Sequence, residues 1–121
     1  MRRKIQLGII VVVGISEKSK SYLGLARRAG KLAIGQDKTL QAIRVRESAL
    51  VILSEDCGTA AERKIRGKAK TASVKVLTLG TRTELGQAIG LAPVSALAVL
   101  DRGFAAIIEK YENSNRVLVE D

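Results

Sequence analysis

Basic side chains and glycines fall together in one stretch of the chain, Arg27-Arg28-Ala29-Gly30-Lys31-Leu32-Ala33-Ile34-Gly35-Gln36-Asp37-Lys38. The chemistry open to it is anion binding. Cations gather at the end of one helix, and Gly35 stands just before the start of the next, where unpaired N–H groups and the helix dipole favour a phosphate. Lys38 and Arg44, with Gln41 on much the same face, extend that surface with groups that donate to phosphates or base edges. The plain alternative is a pair of turn glycines flanked by solvated cations, and at this point both readings stay open. Arg63, Lys64, Arg66, Lys68 and Lys70 offer a second basic surface. They read more simply as the solvated face of their helix, with any attraction to RNA unspecific and sensitive to salt. Ser54-Glu55-Asp56-Cys57 closes an apolar run at a position where α/β folds keep ligand sites. A carboxylate such as Glu55 could accept from RNA hydroxyls or bases, whereas Asp56 is expected to organise the following loop.

Other chemistries find less support. There is no histidine and one cysteine, Cys57, so an internal disulfide is excluded, the usual zinc sets cannot be assembled, and the commonest partner base for a nucleophile is missing. Neither GxxxxGK[ST] nor GxGxxG occurs, although Gly24, Gly86 and Gly90 interrupt apolar stretches. No cofactor, metal or catalytic step is expected. Against this, 21 Lys and Arg face 12 Asp and Glu, a formal charge of +9. The surplus is uneven: residues 1 to 80 hold 17 basic and 6 acidic side chains, the remainder 4 and 6. That split favours a binding face for a polyanion over a uniform basic coat.

The elements that must position these residues follow from apolar periodicity. At 121 residues, 46% hydrophobic with only Tyr22, Phe104 and Tyr111 aromatic, the chain fits one domain with an aliphatic core. Tyr22, Leu25, Ala26 and Ala29 share a helical face that Gly30 ends, giving a helix over about 20–29. Lys31 to Ile34 is extended, and a second helix over about 37–46 carries Leu40 and Ile43 inward. Ala49 to Leu53 reads as a central strand covered on both faces. Thr59 and Glu62 have capping-box spacing ahead of a stripe of Ala61, Ile65, Ala69 and Ala72. Val74 to Leu79 is a strand, and Thr81 and Glu84 repeat the box before a helix over about 82–89. Leu91 to Val94 loops around the only proline, Ser95 to Leu100 is a strand, and Asp101 caps a last helix bearing Phe104, Ile107, Ile108 and Tyr111. Residues 113–121 read as a tail. Strands alternating with helices predict α/β layers with helices on both faces of a sheet. The opening Met1-Arg2-Arg3-Lys4 and apolar Ile5 to Ile15 superficially resemble a signal peptide, yet eleven residues are too short to span a bilayer, and Ile9 to Val13 is β-branched as a strand would be. Residues 1–19 are therefore expected to be an extension of uncertain role, and the protein to be cytoplasmic.

This order of elements, with Leu23-Gly24-Leu25-Ala26-Arg27-Arg28-Ala29-Gly30-Lys31-Leu32, Leu53-Ser54-Glu55-Asp56 and Glu84-Leu85-Gly86-Gln87-Ala88-Ile89-Gly90, resembles the ribosomal protein L7Ae/L30e family, and within it the bacterial YlxQ-type proteins. The resemblance covers about residues 20 to 111. It implies a three-layer α/β/α sandwich with a four-stranded mixed sheet and about five helices, an RNA-binding domain over 20–112, and recognition of kink-turn RNA, a sharply bent internal loop with tandem sheared G·A pairs. It further implies that the loop before the second helix and that helix's first turns, Gly35 to Gln41, enter the major groove beside the kink, while an apolar loop, Leu91 to Val94, covers bases at the kink. The chain departs from the family's strong kink-turn binders: where they read Gly-Thr-Asn-Glu-x-x-Lys, it reads Gly35-Gln36-Asp37-Lys38-Thr39-Leu40-Gln41, so only the glycine remains. Asp37 cannot donate as an amide does, and Lys38 is a cation where a carboxylate is expected.

The expected function is stabilisation of one conformation of a structured RNA, kink-turn or ribosomal, with the ribosome as a further partner and no membrane. The expected contacts are Arg27, Lys31, Gly35, Gln36, Asp37, Lys38, Gln41, Arg44, Glu55, Arg82, Leu91, Ala92, Pro93 and Val94. A protein-interaction module of the translation machinery with an incidental basic face is the alternative; an RNA-modifying enzyme ranks last, for want of length and a cofactor motif.

Overall fold

The computed structural model describes the backbone of residues 5–12, 14–114 and 116–120 and the side-chain environment of 14–113; the basic start Met1 to Lys4 and Val13 lie outside those residues. The elements in chain order are β1 (Ile5–Val12), α1 (Glu17–Arg28), β2 (Leu32–Ile34), α2 (Gln36–Arg44), β3 (Leu50–Leu53), α3 (Thr59–Thr71), β4 (Val76–Thr78), α4 (Arg82–Ile89), β5 (Ala96–Val99), α5 (Arg102–Ser114) and β6 (Arg116–Glu120). Four strands form a mixed sheet in the order β2-β5-β3-β4. β5 runs antiparallel to both neighbours, pairing Ala33 with Ala98 and Val51 with Ala98, and β3 runs parallel to β4, pairing Ile52 with Leu77.

The apolar run of β3 is buried on both faces because its side chains alternate between two cores. Leu50 and Ile52 join Leu23 of α1, Leu85 and Ile89 of α4, and Ala105 and Ile108 of α5. Val51 and Leu53 join Ile43 of α2 and Ile65 and Ala69 of α3. On β5, Leu97 and Val99 point to the first core while Ala96 belongs to the second. The result is the three-layer α/β/α sandwich. Each fully buried Leu, Ile or Val contributes roughly 1.5–3 kcal/mol of hydrophobic stabilisation.

The ends of the helices show where local pattern and tertiary context agree. α1 stops in a Schellman motif: Gly30 is left-handed (φ 72°), its N–H donates to the Arg27 carbonyl, and the Lys31 N–H reaches Ala26. The Thr81–Glu84 capping box is formed in both directions, and Asp101 caps α5 through the Phe104 N–H at 2.9 Å. The Thr59–Glu62 box does not form. Gly58 is the N-cap there, and its carbonyl takes the Glu62 N–H at 2.9 Å, so the Thr59 hydroxyl has no such donor to meet; the Glu62 carboxylate instead accepts from Arg66.

α1 also begins three residues earlier than periodicity suggests. Ser16 caps it by accepting the Ser19 N–H at 3.0 Å. The hydroxyls of Ser16 and of fully buried Ser19 both donate to one oxygen of Glu112 on α5, itself 2% exposed, and Tyr22 stacks on Tyr111 with ring centroids 5.9 Å apart. The polar run at 16–19 is thus the first turn of a helix whose partner lies 93 residues on. The apolar start and the expected tail are strands: β1 and β6 pair antiparallel as a separate two-stranded sheet, Val11 opposite Val117, so β1 meets the other end of its own chain and not the edge of the main sheet.

Candidate nucleic-acid interface

Gly35 turns the chain from β2 into α2 with φ 101°, a backbone conformation that L side chains rarely adopt. Its N–H donates to the Ala96 carbonyl of β5 at 2.9 Å, which holds the helix start against the sheet end. Its carbonyl accepts the Thr39 N–H, and no side chain caps the helix, so the N–H groups of the first turn point outward with only the dipole behind them. Burial of Thr39, Ala42 and Ile43 sets the rotation of α2. Gln36, Asp37, Lys38, Gln41 and Arg44 are thereby exposed. The Arg44 guanidinium donates to the Gln41 amide oxygen.

The loop at 91–94 stands beside this helix start. Gln36 Nε2 donates to Ser95 Oγ at 3.0 Å, and the Gly35–Ala96 bond lies one residue further on. Leu91, Ala92 and Pro93 are exposed, Leu91 at 41%. Val94 is the exception among the expected contacts: it is buried in the core with Leu85 and Ile89, because its N–H donates to the Arg82 carbonyl and turns the side chain inward. Gly86 is what lets the loop lie so close to α4. A methyl group there would sit 2.4 Å from the Ala92 carbonyl oxygen, well inside any allowed contact. Gly86 and Ser95 are both named from the sequence, but neither is given a part in the site there; a glycine inside a short helix that precedes a proline loop was the available signal for the first.

The remaining expected residues are distributed less tightly. Arg27 donates through Nη1 to the Ile89 carbonyl at 2.9 Å, so part of its guanidinium satisfies the end of α4. Lys31 does not join the α2 start. Its carbonyl takes the Leu100 N–H beyond the far end of β5, whereas Gly35 bonds Ala96 at the near end, and four extended residues separate the two by about 13 Å. Glu55 is exposed after β3, tied by its N–H to the Gly80 carbonyl at 2.7 Å. Asp56 Oδ1 accepts the Arg82 N–H at 2.9 Å and Oδ2 lies 3.5 Å from Arg82 Nε, so Asp56 fixes the start of α4 and shares the charge of Arg82. Desolvation pulls the Asp56 carboxyl upward, but hydrogen bonds from the Arg82 backbone N–H, the Ser54 hydroxyl and its own backbone N–H, with a smaller contribution from the Arg82 charge, together outweigh it and leave its pKa below the usual value. Cys57 is buried, which pushes its thiol pKa up, the reverse of what a nucleophile needs. Among the described residues no group of His, Cys, Asp or Glu is arranged to hold a metal ion.

The arrangement can present a helix N-terminus, an exposed cation and amides, and a small apolar platform to one ligand at once. Comparison with known proteins agrees in extent. The chain is 36% identical over 83 residues to an RNA-binding protein YlxQ of Bacillus subtilis (strain 168), covering 69% of this chain and 83% of that one. It is 32% identical over 92 residues to the protein of the same name from Enterococcus faecium, covering 76% and 88%. A solved structure of a protein with unknown function from Bacillus halodurans C matches with a TM-score of 0.73 at 36% identity, over 78% of this chain and 99% of that one. The profile of the Ribosomal protein L7Ae/L30e/S12e/Gadd45 family matches residues 17–109, from the first residue of α1 to within α5. The chain belongs to that family.

Proposed function

We propose that this protein binds structured RNA on the face formed by the start of α2 and the loop at 91–93, and that it acts by holding one RNA conformation without a covalent step. The observation that carries the reading is the junction of the two parts: Gln36 on Ser95 and Gly35 on Ala96 set an uncapped helix N-terminus next to three exposed loop residues. The relatives named as RNA-binding proteins, similar over most of their own length, support it. In this reading the first-turn N–H groups and Lys38 take phosphate oxygens, Gln36 and Gln41 donate to base edges, Asp37 accepts from amino groups of cytosine or guanine, and Leu91 with Pro93 covers an unstacked base. Arg27, Arg44, Glu55 and Arg82 border the face. Lys31 reaches only RNA that continues past the other end of β2. A kink-turn-like or ribosomal RNA in the cytoplasm, and through it the ribosome, is the partner class this face suits.

The test is binding to a kink-turn duplex and to a matched duplex whose sheared G·A pairs are replaced by Watson–Crick pairs, at two salt concentrations, for the wild type and Lys38→Ala. We expect preference for the kinked RNA, with Lys38→Ala weakening both and flattening the salt dependence by about one unit of slope. Equal, steeply salt-dependent binding to both duplexes overturns kink recognition.

A further inference from the structure

α2 and α3 lie side by side on one face of the sheet, and the groove between them is basic along its length. It encloses about 370 Å³ and runs from Asp37 in the first turn of α2 to Arg46 beyond its end. Arg44 and Arg46 line one wall, Lys64 and Lys68 the other, with Asp37 the only carboxylate. Lys64 and Lys68 are four residues apart, so they share one face of α3 and repel each other. None of Arg46, Lys64 and Lys68 has a salt bridge among the described residues, in contrast to Arg66 on the neighbouring face, which is paired with Glu62 at 2.9 Å. Four cations with one carboxylate around a trough are complementary to a chain of phosphates; Leu40 and Ile43 are apolar, and the one amide in the lining, Gln41, belongs to the face already described.

We infer that the α2–α3 groove is a second RNA contact, a track for the phosphate backbone of a strand that continues away from the α2 N-terminus. The inference rests on the RNA-binding reading above, because the groove shares Asp37 and Gln41 with that face. α2 is about 13 Å long, enough to pass several phosphates. The two surfaces divide the work: the face at 35–38 and 91–93 discriminates, and the groove adds affinity that falls with salt.

The experiment compares Lys64→Gln/Lys68→Gln with Arg63→Gln/Lys70→Gln, two pairs on the same helix that remove equal charge, the second pair lying outside the groove. Glutamine keeps helix propensity, and thermal melts check that both variants fold. Affinity for the kink-turn and matched duplexes is measured across a salt series. The groove pair should flatten the plot of log affinity against log salt by about two units of slope and weaken both RNAs alike, with their ratio unchanged. The outer pair should change the slope by well under one unit. Equal effects of the two pairs, or wild-type behaviour of the groove pair, overturn the track, since net charge alone then accounts for binding. Equal binding of the two duplexes by wild type overturns kink recognition and leaves the track to be judged by its slope. Absence of binding to either RNA overturns both.

Discussion

Asp37 and Lys38 occupy the exposed first turn of α2, and the buried residue that follows them, Thr39, is what fixes their direction. Thr39 is fully buried and its hydroxyl has no hydrogen-bond partner among the described residues. A hydroxyl removed from water without a partner costs about 1–3 kcal/mol, so Thr39→Val, which keeps the shape and removes the polar atom, is expected to stabilise the fold by about 1 kcal/mol in denaturant unfolding while leaving RNA affinity unchanged. A loss of stability would mean that the hydroxyl has a partner in solution. Arg27 and Arg82 carry a similar lesson: each has a local structural partner, the Ile89 carbonyl and Asp56, and so is pre-positioned before any ligand arrives.

Helix starts in this protein are set by which carbonyl or hydroxyl reaches the first free N–H. Thr81 and Glu84 satisfy each other's backbone donors, whereas Thr59, with the same spacing to Glu62, sits inside its helix. Thr81→Ala should therefore cost about 1 kcal/mol and Thr59→Ala well under half of that, measured by chemical unfolding. Similar costs would show that both boxes form. The contrast matters for the site, because α4 holds Gly86 against the loop at 91–93, and fraying at Thr81 would loosen the platform that Leu91 and Pro93 provide.

The two cores divide the molecule into a layer of α1, α4 and α5 and a layer of α2 and α3. The second layer concentrates the charge: α2, α3 and Arg46 hold eight of the 21 cations and two carboxylates. The wall between that layer and the sheet includes Cys57, a residue 8% exposed whose thiol pKa is raised chiefly by burial. Labelling of Cys57 by a thiol reagent at neutral pH is expected to be slow in the native protein and to rise in step with unfolding when denaturant is added. Fast labelling without denaturant would show that the α3 side opens locally.

Periodicity along the chain was enough to place five helices and the four strands of the main sheet, and the unequal charge of its two parts was enough to indicate a polyanion partner. The Schellman end at Gly30 and the box at Thr81 could be read directly, because every atom involved lies within a few residues, whereas the same spacing at Thr59 misled because Gly58 caps that helix one residue earlier. What could not be read depends on groups far apart in sequence. The polar run at 16–19 is helical because Glu112 accepts its hydroxyls; the opening strand pairs with β6, more than a hundred residues on. Lys31, close to Gly35 in the chain, stands at the other end of a strand from it, and Lys64 and Lys68 acquire a use only when α2 is laid beside them. Local propensity reports which conformation a segment prefers, but which surfaces meet is settled by the packing of whole layers, and the start of α2, the loop at 91–93 and the α2–α3 groove come together only after that packing is complete.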